Sequence, residues 1–495
     1  MRWIASFALF LAVGAAWALA SPINSGPDEP SHVVHAAAVA RGDLIGKSDP
    51  GTPFVEVTAP RVYDPKTPCY AFHPDVPASC YELSKRTGDG TLRSYTARYL
   101  PPYGALLGFG TYWYPPGAGQ IYLMRLLSAV VIAALLASCI TTVAAVGSIG
   151  FSLGFLFSLT PMALYFSGVV NPSGPEIGAG IAMWVHGIAL THAGAGDDPR
   201  LVRRFGIAAC VLCATRPLSP LWLLLALVVL TVVAGWPRVR TLLRRRVVQA
   251  WAAAVVVVAL AQTVWSAWAK PLSEGNTAQK GLDAPLTFIV RQSVGKLYLS
   301  NTREMIGVFG WLDTLVPSAT VVIWLLAIGA LVVLGVSAGS RRIAWALALT
   351  IALAFLVPVT IESARASANN LVWHGRYTLP FAVGIPLLGG YALRELEATR
   401  LAIRRVAWWL GAGFVVAQGL AFAEALRRYA VGVNGRVFFF WGSTAWSPPV
   451  PSWLLLAGYL AVIAGLTWWV VGAARRGEAE PPPARAPELV DVTSA

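Results

Sequence analysis

Two adjacent carboxylates near the N-terminus are the first residues of this sequence that could do chemistry. Asp28 and Glu29 lie in the run Ser25-Gly26-Pro27-Asp28-Glu29-Pro30-Ser31-His32, where two prolines restrict the backbone. A carboxylate held in this way could serve as a general base or as a ligand of a divalent cation (Mg, Mn or Ca). His32 and His35 are three residues apart and would share one face of a helix.

The same segment also has a purely structural interpretation. Asp28 or Glu29 could cap a helix that has Pro30 in its first turn. Arg41 would suit the negative end of the helix dipole, and Gly42 would end the helix. The residues alone leave both interpretations open.

Three arginines at the ends of apolar segments could bind an anion. Arg125, Arg216 and Arg376 each have a guanidinium group that suits bidentate binding of a phosphate, although arginines at a membrane edge also extend to the interface without any such role. Other polar or aromatic residues near the same predicted ends are further candidates for binding substrate or phosphate: Tyr103, Glu176, His374 and Tyr377, with His32, His35, Asn171 and Asp313 as secondary candidates.

The composition identifies the environment that must position these residues. Of 495 residues, 56% are hydrophobic and only 13% are charged, about half the charge of an ordinary soluble chain. This excludes a typical cytosolic enzyme and an intrinsically disordered chain. The net charge of +14 does not predict a nucleic-acid surface, because the basic residues are spread over the connections between apolar segments.

The hydropathy pattern predicts an all-α membrane protein with about twelve spans, since each span needs roughly 20 mainly apolar residues. Residues 1–20 also resemble a secretory signal, but their apolar run is long and we expect a retained first helix. The predicted spans are 3–21, 119–146, 148–170, 177–194, 205–217, 218–235, 247–268, 315–336, 343–361, 377–393, 406–425 and 452–472.

Arginines in the short connections predict that both termini lie in the cytoplasm. Residues 1–472 would then form one membrane domain, with extracytoplasmic loops at 22–118 and 269–314 and a disordered cytoplasmic tail at 473–495. Cys69 and Cys80 lie in the first outer loop, where an oxidising compartment favours a disulfide.

The motifs, taken in order, resemble those of an uncharacterised family of bacterial polytopic membrane proteins grouped with the GT-C glycosyltransferases. Members carry an acidic motif in the first outer loop, a Pro-Pro-Tyr-like segment before the second span and an arginine that opens this span. Asp28-Glu29, Pro101-Pro102-Tyr103 and Arg125 are similar to these, and Arg216 lies where relatives often place a basic residue. The resemblance covers almost the whole membrane region.

The resemblance implies a GT-C-like fold in the bacterial cytoplasmic membrane with its active site on the outer face. It also implies transfer of a sugar, with inversion, from a polyprenyl-phosphate donor to a cell-envelope glycan, glycolipid or protein. Asp28 would then be the catalytic base, with Glu29 as a second catalytic candidate. Two alternatives stay open: a transporter or lipid flippase, which usually has matching halves not found in this sequence, and a non-enzymatic assembly factor of the cell envelope.

Overall fold

The computed structural model describes residues 2–49, 52, 54–192, 198–270, 281–394, 400–442 and 444–478, and most of them are helical. The helices are α1 Arg2–Ala20, α2 Glu29–Ala40, α3 Pro101–Phe109, α4 Ala118–Val146, α5 Ile149–Ser158, α6 Pro161–Tyr165, α7 Ser173–Leu190, α8 Pro199–Thr215, α9 Ser219–Ala234, α10 Trp236–Leu243, α11 Arg246–Ala269, α12 Leu286–Lys296, α13 Thr302–Gly307, α14 Ser318–Ala338, α15 Arg341–Asn369, α16 Gly375–Ala382, α17 Gly384–Ala392, α18 Arg400–Val431 and α19 Ser452–Glu478.

Five short strands complete the described part of the chain. Strands β1 Lys47–Ser48, β2 Val55–Pro60 and β3 Asp89–Ser94 form an antiparallel sheet in the order β1-β2-β3, in which Val57 lies opposite Leu92. Strands β4 Val308–Phe309 and β5 Thr314–Leu315 form a small hairpin.

Seven of the described helices are long and apolar enough to cross a membrane: α1, α4, α11, α14, α15, α18 and α19. Two bent pairs raise the number to nine if each pair is one span. The first joins α5 to Pro161–Gly168 at 62°, and the second joins α9 to α10 at 115°. The count of twelve is therefore not confirmed. The other three predicted spans fall on α7, α8 and the α16–α17 pair, which are shorter, more polar or interrupted.

Close helix packing forms the centre of the bundle. Helix α1 runs along α4, and α7 is buried over nearly its whole length. The backbones of α5 and α17 touch, because a Cβ atom on Gly150 would lie 2.4 Å from the carbonyl oxygen of Gly390. Small residues of this kind allow helices in a membrane to approach closely without a loss of packing.

The two ends of the helix bundle differ in the loops and connections that they bear. We call the end that bears residues 22–117 the loop face, and the end that bears the connections with Arg200, Arg238 and Arg341 the arginine face. The predicted disulfide is confirmed on the loop face, where Cys69 and Cys80 are bonded.

One boundary differs from the prediction. The last helix, α19, continues to Glu478, so residues 473–478 of the predicted tail are helical. The rest of the predicted tail, 479–495, lies outside the described residues.

Candidate functional site

The carboxylate of Asp28 lies on the loop face among Tyr95, Arg216, Arg376 and Tyr377, and we use the word recess for this group of five residues. Its Oδ1 accepts a hydrogen bond from the hydroxyl of Tyr95 at 2.5 Å, and its Oδ2 accepts one from Nη2 of Arg376 at 3.1 Å. The backbone of Asp28 has a φ of 63°, and its side chain does not cap α2. The predicted capping role is therefore wrong, because the left-handed backbone turns the carboxylate towards Arg376. The side chain keeps 26% of its surface exposed.

Arg376 has two nitrogens without a hydrogen-bond acceptor among the described residues, unlike Arg216, the other arginine of this recess. It opens α16, and its side chain is only 4% exposed. Nη2 donates to Asp28 and to the hydroxyl of Tyr377, whereas buried Nε and Nη1 have no acceptor in the part of the chain that the structure describes. Those two nitrogens carry three N–H groups between them, and buried donors of this kind are costly unless something accepts from them.

Arg216 contributes a second positive charge to the same recess. Its guanidinium carbon lies 4.6 Å from the ring centre of Tyr377, and that of Arg376 lies 5.0 Å from the same ring. The two arginines are thus held beside one aromatic ring by cation–π contacts. Arg216 also donates to Ser173 at 3.0 Å and lies 3.8 Å from the carboxylate of Glu176.

Glu176 itself is buried at the start of α7. Its Oε1 accepts a hydrogen bond from Ser219 at 2.7 Å, and its Oε2 has no hydrogen-bond donor among the described residues. Burial, opposed by the charge of Arg216, raises the pKa of Glu176 to about 7, so this carboxyl group is only partly ionised at neutral pH.

Glu29 and Arg125 form a separate, fully buried ion pair. Both side chains are 0% exposed, and the guanidinium binds both carboxylate oxygens, at 2.8 and 2.7 Å. The remaining N–H groups of Arg125 donate to the carbonyl oxygens of Ala18, Ser21 and Pro22, so all of its donors are used.

The ion pair changes the interpretation of both residues. Glu29 also accepts from the backbone N–H groups of Gly26 and Val170, which leaves its carboxylate without a free position. Because neither side chain can reach a ligand, the structure argues against Glu29 as a catalytic residue and against Arg125 as a phosphate ligand. Together they fix the end of α1 to α4 and to the segment that carries Asp28.

The two histidines of α2 are buried, and only His32 lies close enough to Asp28 to interact with its charge. Burial, opposed by the charge of Asp28, lowers the pKa of His32 to about 3, and burial alone lowers the pKa of His35 to about 4. Both side chains are therefore neutral at pH 7. Nε2 of His35 has no partner among the described residues.

His374 lies next to Arg376 and faces an acidic partner. Its Nδ1 is 3.5 Å from Oε2 of Glu304 and has no hydrogen-bond partner among the described residues. Glu304 also accepts from the backbone N–H of Gly375 at 2.7 Å. Burial lowers the pKa of His374 despite the nearby carboxylate, so the ring is neutral at pH 7.

Three further candidates have structural partners away from the carboxylate of Asp28. The hydroxyl of Tyr103 is 3.1 Å from that of Ser128. Asn171 donates to the carbonyl oxygen of Pro27 at 2.7 Å and so anchors the acidic segment. Asp313 binds Arg428 at 2.9 Å.

Two site residues were not predicted from the sequence. Tyr95 donates to Asp28, and the ring of Tyr99 lies 5.8 Å from that of His32. Tyr99 comes two residues before the Pro101-Pro102-Tyr103 segment, which was a signal for its neighbourhood, but no local pattern marks Tyr95.

The charge around Asp28 determines its ionisation. Burial raises the pKa of the carboxyl group, but the charge of Arg376 and the hydrogen bond from Tyr95 lower it more, and the net pKa lies below the usual 3.8. Asp28 is therefore a carboxylate at neutral pH. The surroundings of Asp28 do not fit a divalent cation, since the nearest charged groups are guanidinium groups and both carboxylate oxygens of Glu29 are bonded to Arg125. No cluster of three His, Cys, Asp or Glu residues suitable for a metal occurs within the described ranges.

The long apolar helices and the buried charges on the loop face define a polytopic helical membrane protein. The chain belongs to the family described as predicted membrane protein (DUF2142), whose model matches residues 11–385. The match agrees with the predicted polytopic membrane protein, and the predicted grouping with the GT-C glycosyltransferases stays a prediction. No curated protein matches the chain.

The chain is also similar to two crystal structures of ArnT from Cupriavidus metallidurans, one bound to undecaprenyl phosphate and one in the apo state. The sequence identities are 15% and 16%, and the TM-score is 0.41 for both. Each match covers 94% of this chain and 77% of the ArnT chain. A likeness of this degree carries neither a residue role nor a reaction to this chain.

Proposed function

We propose that the chain is a membrane glycosyltransferase that moves a sugar from a polyprenyl-phosphate donor to a cell-envelope acceptor. The reaction would take place on the outer face of the bacterial cytoplasmic membrane. The observation that carries the proposal is the pair formed by Asp28, an ionised carboxylate, and Arg376, a buried guanidinium whose Nε and Nη1 have no acceptor among the described residues. An anion bound there would lie directly beside a general base.

The phosphate of the donor supplies the acceptors that Arg376 lacks. Nε and Nη1 lie on different edges of the guanidinium, so a phosphate oxygen can accept from either one, and charge-assisted hydrogen bonds of this kind are among the strongest in proteins. Arg216 adds a second positive charge, and Tyr377 holds both guanidinium groups in place. The polyprenyl chain would extend into the lipid.

The transfer is a single displacement. The acceptor oxygen forms a bond to the anomeric carbon of the sugar, and the bond from this carbon to the phosphate oxygen breaks with inversion. Asp28 takes the proton of the acceptor hydroxyl, and polyprenyl phosphate leaves with the bonding electron pair. Arg376 and Arg216 stabilise the charge that develops on the departing phosphate. The step needs no nucleophile from the protein.

The other buried groups would position this machinery. The Glu29–Arg125 pair and Asn171 hold the backbone of the acidic segment against α4 and α7. Glu304 accepts from the N–H of Gly375 and so fixes the chain just before Arg376. His32 and His374, which are neutral, remain able to hydrogen-bond a sugar hydroxyl.

The test is transfer of labelled sugar in membranes that contain the full chain and are given a panel of polyprenyl-phosphate sugars. Asp28→Asn keeps the shape of the side chain but removes the base, so transfer should fall by a factor on the order of a hundred or more. Asp75→Asn is the matched control, because Asp75 is an exposed residue of the same outer loop. Its transfer should equal that of the wild type.

Two results would contradict the proposal. Full transfer by Asp28→Asn would mean that the carboxylate is not the base. If no sugar is transferred by the wild type but labelled lipid crosses the bilayer, the chain is a flippase, and if neither occurs the assembly-factor alternative gains support.

A further inference from the structure

A second feature lies at the opposite end of the molecule from Asp28. A cavity of about 280 Å³ opens among the ends of five helices on the arginine face. Its walls come from the last turn of α7, the first turns of α8, the end of α9, α10 and the beginning of α11. Apolar cavities of only about 150 Å³ already bind small apolar molecules, so this one is large for a void in a packed protein.

The lining is apolar and its mouth faces the surroundings of the bundle. Phe205, Leu230 and Trp251 form much of the inner wall. Leu227 and Val256 also line the cavity, and they are 40% and 55% exposed, so it opens sideways between α9 and α11. In a membrane protein this opening faces lipid, and hydrocarbon is the matching occupant.

Helix α10 covers the cavity where the chain bends sharply. The bend between α9 and α10 is 115°, and Gly235 at the bend has a φ of 74°. Val239 and Leu242 of α10 face the cavity, while Trp236 at its start is 64% exposed. A short helix with an apolar underside and arginines on its other faces is typical of a segment that lies in the membrane interface.

The rim of the cavity is strongly basic. No acidic residue occurs between Asp198 and Glu274, while the stretch from α10 into α11 carries several arginines: Arg238, Arg240, Arg244, Arg245 and Arg246. Arg342 comes from a different part of the chain and approaches the bend, since a Cβ on Gly235 would lie 2.5 Å from its Nη1.

One of these arginines, Arg238, has a buried N–H group without an acceptor among the described residues. Nη2 of Arg238 donates to the carbonyl oxygens of Leu190 at 3.3 Å and His192 at 2.6 Å, at the end of α7. Its Nε is buried and has no acceptor among the described residues. The rim therefore combines a concentration of positive charge with an open donor beside an apolar cavity.

From this combination we propose that the cavity is a binding site for an anionic phospholipid of the adjoining leaflet. One acyl chain would enter between α9 and α11, and the phosphate of the headgroup would lie on the arginines of α10. The charge of the rim selects an anionic headgroup over a zwitterionic one, at about 1 kcal/mol, or roughly fivefold, for each arginine near the surface. The proposal does not depend on sugar transfer at Asp28.

The test uses the full chain in phosphatidylcholine vesicles with a trace of photoactivatable lipid. Phosphatidylglycerol and phosphatidylcholine probes carry the same photoactivatable acyl chain, and cross-linked peptides are mapped by mass spectrometry. We expect several-fold more labelling of α10 and the start of α11 with the phosphatidylglycerol probe.

Two neighbouring alanines of α11 provide a matched pair of variants. Ala252 lines the cavity and Ala253 does not, although both are exposed. Ala252→Phe fills the mouth and should reduce labelling about fivefold or more, whereas Ala253→Phe should leave it unchanged. Equal labelling of the two variants would overturn the proposal.

The headgroup is tested separately on the surface, where folding is not at risk. Arg240 and Arg244 are exposed, and changing both to Gln should lower the preference for phosphatidylglycerol by roughly fivefold for each arginine. Arg405→Gln, an exposed charge at the start of α18, is the control. Equal labelling by both probes in the wild type would refute the proposal. Stronger labelling by a photoactivatable polyprenyl phosphate than by phosphatidylglycerol would also refute it.

Discussion

Removing Arg125 should destabilise the whole fold, because its charge is matched only by Glu29 inside the bundle. In Arg125→Met the apolar side chain leaves the carboxylate of Glu29 buried and unpaired, which typically costs about 3–5 kcal/mol. The carbonyl oxygens of Ala18 and Ser21 also lose the Arg125 donor, at about 1 kcal/mol or more for each one that water cannot reach, whereas that of Pro22 still accepts from the N–H of Ser25. The sum is comparable to the entire stability of many proteins, about 5–15 kcal/mol.

The double variant separates the lost charge pair from the other contacts. Glu29→Gln combined with Arg125→Met removes the stranded charge, so it should be more stable than Arg125→Met alone by roughly 2–4 kcal/mol. Arg125→Lys keeps the charge but has fewer donors and cannot bind both oxygens in a fork, so it should lie between the wild type and Arg125→Met.

The assay is the fraction of monodisperse protein that survives a series of temperatures in detergent, measured by size-exclusion chromatography. Arg365→Met is the control, because Arg365 is an exposed arginine of α15. Wild-type thermal stability in Arg125→Met, accompanied by weaker binding of polyprenyl phosphate, would refute the reasoning. It would mean that Arg125 reaches the ligand and is not a structural anchor.

Two further predictions concern Arg376 and the buried histidine His35. Arg376→Gln should weaken binding of polyprenyl phosphate by roughly ten- to a hundredfold, measured by titration of the purified protein, while exposed Arg365→Gln should bind as the wild type does. Burial lowers the folded-state pKa of His35 to about 4, so the free energy of unfolding is fully retained above pH 6.5 and falls as the pH decreases towards 4, by about 3 kcal/mol in total. His35→Gln should flatten this dependence of the thermal midpoint, and His73→Gln, at an exposed position, should not; an unchanged slope in His35→Gln would contradict the assignment.

Some long, uniformly apolar helices were predictable from the sequence almost to the residue, whereas α15 and α18 extend well beyond the predicted 343–361 and 406–425. The span predicted at 119–146 is α4 Ala118–Val146, and the span predicted at 247–268 is α11 Arg246–Ala269. Interrupted helices were not predictable in this way, because a proline or glycine within an apolar run can either bend the chain or lie inside a continuous helix. Pro161 begins a new helix after a 62° bend, whereas Pro358 lies within unbroken α15.

The site was predictable in its residue types but not in its pairings. Asp28, Arg216 and Arg376 were all expected to take part, and the structure brings them together around Tyr377 and Tyr95. No feature of the neighbouring sequence indicates that every N–H group of Arg125 is hydrogen-bonded within the protein, whereas Nε and Nη1 of Arg376 have no acceptor among the described residues. That difference depends on which carbonyl groups and carboxylates of distant segments fold around each guanidinium.

The most direct test of the central claim is a single-turnover reaction of the purified chain in vesicles, with a donor labelled in both the sugar and the polyprenyl phosphate. The account predicts that the wild type releases one polyprenyl phosphate for each sugar transferred. It also predicts that Asp28→Asn binds the donor at least as well but transfers almost none. Equal single-turnover rates in the two proteins, or weakened donor binding as the sole defect of Asp28→Asn, would contradict the assignment of Asp28 as the base.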